Sequence, residues 1–403
     1  MYLLDASLAC NLMCRYCYNH PLREKHPDLL GPPDLDAMER TLRELYARKP
    51  MAITLHGGEP LYWGVLWGRD VVERLLRVSY ELSGHSGIQT NATLVDEEYI
   101  AMFKKFKTSV GASVDGYYPA NEFRADEKTT MTAIENIRAL VESGVNTGVI
   151  IVLHKANAVP GRIELVEKLI LDLHEWGVHG GKLNPCVHDD PSIQLTNKEL
   201  VWAYKRLFDF MWEHDIPVCG WDPFGMMLNN LLGFHLRDCI FQPCDPFATW
   251  SGCRIDGKGR VYCCAKMAGN PIPFDLERTD PELRARILAA TDCRGCPYFG
   301  KVCFGGCPST APGWDWRRKT RFCSAFRWLY GFLAKKLKSL IPGLTTCVDP
   351  EWDGDPLSRA KKRRGLNPYV RPGARPCVPR AAPGVHHDGG VVHHDHDRHA
   401  DSP

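Results

Sequence analysis

Apolar positions in the first half of the chain follow two alternating rhythms. Short runs of consecutive aliphatic and β-branched residues near 2–8, 51–56, 86–90, 108–114, 146–153 and 180–184 predict strands buried on both faces. Between them, apolar residues recur three or four apart near 34–48, 66–83, 96–106, 129–143, 161–176 and 197–213, which predicts amphipathic helices. Strand–helix repetition implies parallel pairing with right-handed crossovers, an α/β fold. Six such units are too few to close an eight-stranded barrel. From about 239 the rhythm breaks into short segments rich in Gly, Pro and Cys, ending in an amphipathic stretch at 324–341 with a basic face. That closing helix is expected to pack on the cysteine-rich segment rather than on a membrane. The expected divisions are an α/β domain at 1–215, a bridging segment at 216–238, a cysteine-rich domain at 239–342 and a disordered Pro/Arg/His-rich tail at 343–403.

Composition narrows the function classes. A net charge of +2 over 403 residues gives no field that would select nucleic acid or an acidic membrane. The apolar runs are too short to span a bilayer, and the N-terminus reads as a strand rather than a signal, so a cytoplasmic protein is expected. In such a protein, 17 cysteines point to metal or redox chemistry before disulfides. Six histidines close the chain, at His386, His387, His393, His394, His396 and His399, and are expected to form a polar tail with incidental metal affinity.

The candidate chemistry starts where the first strand ends. Cys10, Cys14 and Cys17 are separated by three and then two residues. Three thiolates on one tight loop can hold three irons of a 4Fe–4S cube and leave the fourth open. A zinc knuckle that recruits His20 is the alternative on these residues alone. After the second strand comes His56-Gly57-Gly58-Glu59-Pro60, where two glycines let the backbone approach a ligand and a carboxylate can accept from an ammonium group. Polar residues end the next strands: Gln89-Thr90-Asn91, then Ser113-Val114-Asp115, with Arg124 following.

This constellation resembles the radical S-adenosylmethionine (SAM) enzymes. The resemblance implies an open, partial (β/α)6 TIM-like barrel with its site at the strand C-termini. There, Cys10, Cys14 and Cys17 would bind a 4Fe–4S cluster whose open iron chelates SAM, and an electron from the cluster would release a 5′-deoxyadenosyl radical. Gly57, Gly58 and Glu59 would receive the SAM amino group. Asn91, Ser113, Asp115 and Arg124 would surround the ribose and carboxylate, and Tyr16 would lie against the adenine, with Leu183 a weaker second choice. The segment from Gly116 to Phe123 departs from the His-Asp pair many relatives carry.

The later cysteines resemble the SPASM extension, which in that family binds auxiliary clusters. Gly259 precedes Cys264 by four residues, and Cys293, Cys296, Cys303, Cys307 and Cys323 follow in interleaved spacing. The resemblance implies two auxiliary 4Fe–4S clusters, one on Cys239, Cys244, Cys264 and Cys307, the other on Cys293, Cys296, Cys303 and Cys323. Cys253 or Cys263 could replace Cys239 or Cys264, and a structural zinc module is the competing reading.

The implied activity is oxidative modification of a ribosomally made precursor peptide or protein side chain, with a flavodoxin or ferredoxin-type reductant. Because strand one opens the chain, leader recognition is expected from the cluster domain or a separate peptide-recognition protein. A dehydrogenase or epimerase on a sugar or aminoglycoside is the alternative, and a non-enzymatic metal scaffold a third. Formylglycine-forming members carry an aspartate where this chain has Ala265, which marks down sulfatase maturation. Lys266, Glu122 and Cys186 are the candidates for a base or second hydrogen donor, with none preferred.

Overall fold

The computed structural model describes residues 1–234, 236, 239–241, 253–262, 264, 266, 283–351 and 354. Strands β1 (Tyr2–Asp5), β2 (Ile53–Leu55), β3 (Ser86–Thr90), β4 (Thr108–Ser113), β5 (Thr147–Leu153) and β6 (Gly181–Pro185) fall where the apolar runs predict them. They alternate with helices α1 (His20–Lys25), α2 (Leu35–Arg48), α3 (Pro60–Trp67), α4 (Arg69–Ser83), α5 (Glu97–Lys105), α6 (Glu127–Glu142), α7 (Ile163–Trp176) and α8 (Asn197–Glu213). Side-chain caps explain several starts: Asp34, Asp96 and Asp126 each accept an N–H of the first turn, and Thr196 with Glu199 forms a reciprocal capping box. The helix expected at 66–83 is two helices. Gly68, at φ 96°, breaks the run, and the apolar stretch from Pro60 forms a helix of its own.

All six strands pair in parallel, in chain order from β1 to β6. Val110, Ala112, Val149, Ile151 and Leu153 bury one face under the helices. The alternate positions Gly111, Ser113, Gly148, Ile150 and Val152 are half-buried on the other face.

The sheet grows at both ends beyond the six predicted strands. The bridging segment supplies β7 (Trp221–Asp222), which pairs with β6, and α9 (Phe224–Leu231). On the far side, β8 (Cys253–Asp256) runs parallel to β1 with Tyr2 opposite Cys253 and Asp5 opposite Asp256. It turns back as β9 (Val261–Tyr262). The resulting order is β7-β6-β5-β4-β3-β2-β1-β8-β9, an unclosed sheet. The cysteine-rich segment is thus hydrogen-bonded directly to the strand that feeds the first cysteine loop.

The rest of that segment contains α10 (Leu283–Ala290) and α11 (Cys323–Leu340). Helix α11 packs on α8 and α9, with Phe332 edge-on to Phe208 of α8 at 5.1 Å, so its main partners precede the cysteine-rich segment. Its other contact is the cysteine-rich segment: Tyr330 donates to the Val302 carbonyl at 2.6 Å. Residues 343–351, expected as the start of a tail, pack instead. Leu344 and Cys347 are buried, and the Cys347 N–H donates to the Leu231 carbonyl at 2.9 Å. The remainder of that tail, with its histidines and the basic run from Arg359 to Arg364, lies outside the described residues. Among the described residues no helix is long and apolar enough to cross a membrane.

Candidate active site

The loop after β1 carries Cys10, Cys14 and Cys17, all half-buried and none in a disulfide. Backbone bonds shape it: the Cys17 N–H donates to the Cys14 carbonyl at 3.0 Å, and the His20 N–H to the Cys17 carbonyl at 3.2 Å. His20 Nε2 lies 2.9 Å from the Cys14 carbonyl, which occupies the side chain that a zinc knuckle would have recruited. Burial raises the Cys10 thiol and pushes Cys14 up to about 11. Without a cationic ligand these groups therefore stay protonated at neutral pH.

The Gly-Gly-Glu turn is docked onto this loop. The Gly58 N–H donates to the Ser7 carbonyl at 3.1 Å and the Glu59 N–H to the Ala9 carbonyl at 2.9 Å. A Cβ on Gly58 would stand 2.0 Å from the Ala9 carbonyl oxygen, and Gly57 has φ 124°. Both positions therefore require glycine. Glu59 is 1 % exposed and caps α3. Its carboxylate accepts from the Leu61 N–H at 3.1 Å, the Thr90 hydroxyl at 2.6 Å and the Asn91 N–H at 2.6 Å. A carboxylate has about four acceptor positions, so one is left for a further donor. Burial outweighs these bonds and pushes the Glu59 carboxyl up to about 7.

The ends of β3 and β4 converge on the same loop. Asn91 Nδ2 donates to Asn11 Oδ1 at 2.9 Å, and Asn11 Nδ2 donates to Thr93 Oγ1 at 2.9 Å. Gln89 Nε2 donates to Ser113 Oγ at 2.8 Å. Asp115 differs from the expectation that it faces a ligand. Its carboxylate is wholly buried and receives the Tyr16 hydroxyl, the Val152 N–H at 2.8 Å, His154 Nε2 at 3.3 Å, and Arg124 Nε and Nη2 at 3.3 and 3.5 Å. Burial alone would raise this carboxyl, but Arg124, His154 and Tyr16 together hold it well below the usual carboxylate range. Asp115 thus organises Tyr16 and Arg124. Arg124 Nη1 in turn stands 4.0 Å from Cys14 Sγ. Leu183 is wholly buried in the core, and its carbonyl accepts from the Tyr204 hydroxyl at 2.9 Å.

Sequence reasoning passed over His154 and the Asp5–Arg254 pair. His154 directly follows β5, its ring 5.1 Å from Tyr16 and 4.9 Å from Phe123. The polar-strand-end rule applied to β3 and β4 would have found it. Asp5, buried at the end of β1, meets Arg254 Nε of β8 at 2.7 Å and His56 Nδ1 at 3.3 Å. No local pattern announces that contact, because β8 is some 250 residues distant in sequence. Of the candidate donors, Lys266 Nζ lies 5.4 Å over the Tyr18 ring, and Cys186 is buried beside Phe123, Ala156 and Ile193 with its thiol pushed up to about 12 by burial. Glu122 pairs with Arg162 at 3.6 Å.

A second cavity lies under α11. Cys293, Cys296, Cys303 and Cys323 line it together, with Phe299, Phe326 and Tyr330 around them. Burial pushes the Cys293 and Cys303 thiols up to about 11 and about 12. The loops that carry these cysteines are braced by Arg284, 2 % exposed, which donates to the carbonyls of Trp316, Phe304, Gly305 and Arg318. Among the described residues no three His, Cys, Asp or Glu side chains stand close enough to share a single metal ion. Cys239 is exposed, Cys264 half-buried and Cys307 buried, its Sγ 3.0 Å from Ser309 Oγ. Cys253 is wholly buried opposite Tyr2, at the end of the sheet away from Cys10. Cys244 and Cys263 lie outside the described residues, as does Ala265.

An unclosed parallel sheet with a three-cysteine loop after its first strand and a Gly-Gly-Glu turn after its second defines a radical SAM domain. Residues 6–160 match the Radical SAM superfamily, so the chain carries a radical SAM domain. It is related to the anaerobic sulfatase-maturating enzymes. It is 25% identical over 338 residues to the cysteine-type anaerobic sulfatase-maturating enzyme of Clostridium novyi (strain NT), covering 76% of this chain and 87% of that protein. The fold resembles that of anSMEcpe with bound AdoMet and Cp18Cys peptide, with a TM-score of 0.63 at 19% identity over 82% of this chain and 96% of that one. It also resembles Streptococcus suis SuiB bound to the precursor peptide SuiA, with a TM-score of 0.51 at 16% identity over 69% of this chain and 61% of that one.

Proposed function

We propose that this enzyme modifies a side chain of a ribosomally made peptide or protein, with Cys10, Cys14 and Cys17 holding the 4Fe–4S cluster that binds SAM. The observation that carries the reading is the convergence at one end of the sheet. The cysteine loop, the Glu59 turn and the polar end of β3 are joined there by direct hydrogen bonds. When bound, cluster and SAM supply a 5′-deoxyadenosyl radical able to take a hydrogen atom from an unactivated carbon. The protein's part is to bind, orient and exclude water. Glu59 offers its remaining acceptor position to the SAM ammonium, and Gly57 and Gly58 let the ligand approach the backbone. Asn91 fixes the loop through Asn11, Ser113 is held by Gln89 at the mouth of β4, and Tyr16 and Arg124 are set in place by Asp115.

The four cysteines around this cavity suit an auxiliary 4Fe–4S cluster, since all four side chains line the same space. Cys239, Cys264 and Cys307, with Cys244, are the proposed ligands of another. A peptide substrate is supported by relatives whose structures carry peptides. Ala265, in place of the aspartate expected of formylglycine formation, favours a target other than a sulfatase. The test is mass spectrometry of candidate precursor peptides after anaerobic incubation with enzyme, SAM and reductant. A mass change on a peptide is expected. 5′-Deoxyadenosine formation that a sugar or aminoglycoside stimulates, and that no peptide does, would contradict the peptide reading.

The Glu59 carboxyl gives a pH prediction. Its pKa is raised to about 7, so it is largely protonated below that pH and ionised above it. Only the ionised form attracts an ammonium. SAM affinity of the cluster-loaded enzyme is therefore expected to tighten severalfold between about pH 6 and pH 8, and to flatten in Glu59→Gln. Calorimetric titration with SAM at several pH values measures it. An equal slope in the Gln variant would remove Glu59 from this role.

A further inference from the structure

We propose that Asp115 positions Arg124 beside Cys14 and, by neutralising its charge there, keeps the first cluster strongly reducing. The inference rests on the reading that Cys10, Cys14 and Cys17 hold that cluster. Arg124 places a cationic nitrogen directly at this loop, with Nη1 4.0 Å from Cys14 Sγ. Its side chain is 10% exposed and that of Asp115 is fully buried, so water screens neither. The pair is made by Arg124 Nε at 3.3 Å from Oδ2 and Nη2 at 3.5 Å from Oδ1.

Asp115 is fixed from its other sides by groups that carry no charge. The Val152 N–H and the Tyr16 hydroxyl donate to it, its own N–H donates to Asn121 Oδ1 at 2.9 Å, and Asn157 Nδ2 donates to its carbonyl at 2.9 Å. His154 is held in one orientation. The Ala156 N–H donates to Nδ1 at 3.2 Å, which turns Nε2 toward Asp115 at 3.3 Å. Arg124 is the partner that joins Asp115 to the cysteine loop.

The consequence is electrostatic. Adding an electron to a cluster adds negative charge, which a nearby uncompensated cation favours, and net charge and hydrogen bonds to the sulfurs set such potentials. An arginine placed at Cys14 without Asp115 would raise the midpoint potential and weaken the cluster as a reductant. With Asp115 in place, the guanidinium can stay near the loop at little electrostatic effect on it. Asp115 and His154 are on this account positioning residues.

The experiment is a redox titration of the reconstituted, full-length protein without substrate. It is followed by electron paramagnetic resonance on the signal that SAM perturbs, with iron counted in every sample. Asp115→Asn keeps the shape and removes the charge, and a midpoint more positive than that of the parent is expected. Arg124→Gln is expected to shift it the other way, Arg124→Lys to restore it in part, and the double Asp115→Asn/Arg124→Gln variant to return it toward the parent value. Unchanged midpoints at full iron content, or shifts of the same sign in both single variants, would overturn the proposal. Should Asp115→Asn fail to load iron, the double variant is read against Arg124→Gln: a more positive midpoint in the double is expected, and equal midpoints would overturn the proposal. Failure to find a peptide substrate leaves these potentials untouched, whereas a parent protein without any SAM-sensitive signal would remove the cluster reading itself.

Discussion

Replacing Cys14 by alanine is expected to remove the SAM-binding cluster and to reduce 5′-deoxyadenosine formation to background. The substitution is clean because the loop does not depend on the thiol for its shape. The turn is held by the Cys14 carbonyl, which accepts from the Cys17 N–H and meets His20 Nε2, and alanine keeps that carbonyl. Fold and thermal stability should therefore change little, while one of three iron ligands disappears and the cube loses a corner. Iron content, visible absorbance and product formation measured on one anaerobic preparation check all three parts. Survival of SAM cleavage in this variant would contradict the assignment of the loop.

Cys303→Ala carries the second large effect. Cys303 is half-buried, and burial pushes its thiol up to about 12, so as a free group it would be an unreactive sulfhydryl. It lines one space with Cys293, Cys296 and Cys323, which come from a turn, a loop and the first residue of α11. Removing it is expected to lower bound iron by about four atoms per chain, the content of one cluster. Cleavage of SAM should persist, because the residues lining this cavity include none from the first cysteine loop. Formation of modified peptide should be lost. Unaltered iron in Cys303→Ala, or loss of zinc in its place, would show that the cavity holds something other than an iron–sulfur cube.

Much of this arrangement was legible in the chain, for identifiable physical reasons. Strands β1 to β6 are buried and continuously apolar, so their positions follow from composition over a few residues. The cysteine loop and the Gly57-Gly58-Glu59 turn were readable because each packs its chemistry into one short local word. The grouping of Cys293, Cys296, Cys303 and Cys323 follows from spacing that resembles a known extension. What escaped depends on contacts remote in sequence. β8 joins β1 through a register that only the folded sheet reveals, and with it come the Asp5–Arg254 pair and the demotion of Cys253 to a core thiol. Asp115 reads as a polar strand end like Asn91, yet its environment is a closed set of protein donors. That difference is set by His154 and Arg124, which reach it from elsewhere in the chain. Residues 343–351 read as tail because they are few and Pro-flanked, while burial of Leu344 and Cys347 against α9 gives them a place.

One coordination position decides the proposed chemistry: an iron on the first loop that carries no protein sulfur. The electron paramagnetic resonance spectrum of the anaerobically reduced protein, taken before and after SAM is added, tests it most directly. The spectrum is predicted to change with SAM in the parent protein and to show no such change in Cys14→Ala. A parent spectrum indifferent to SAM, or an identical change in the alanine variant, would contradict it.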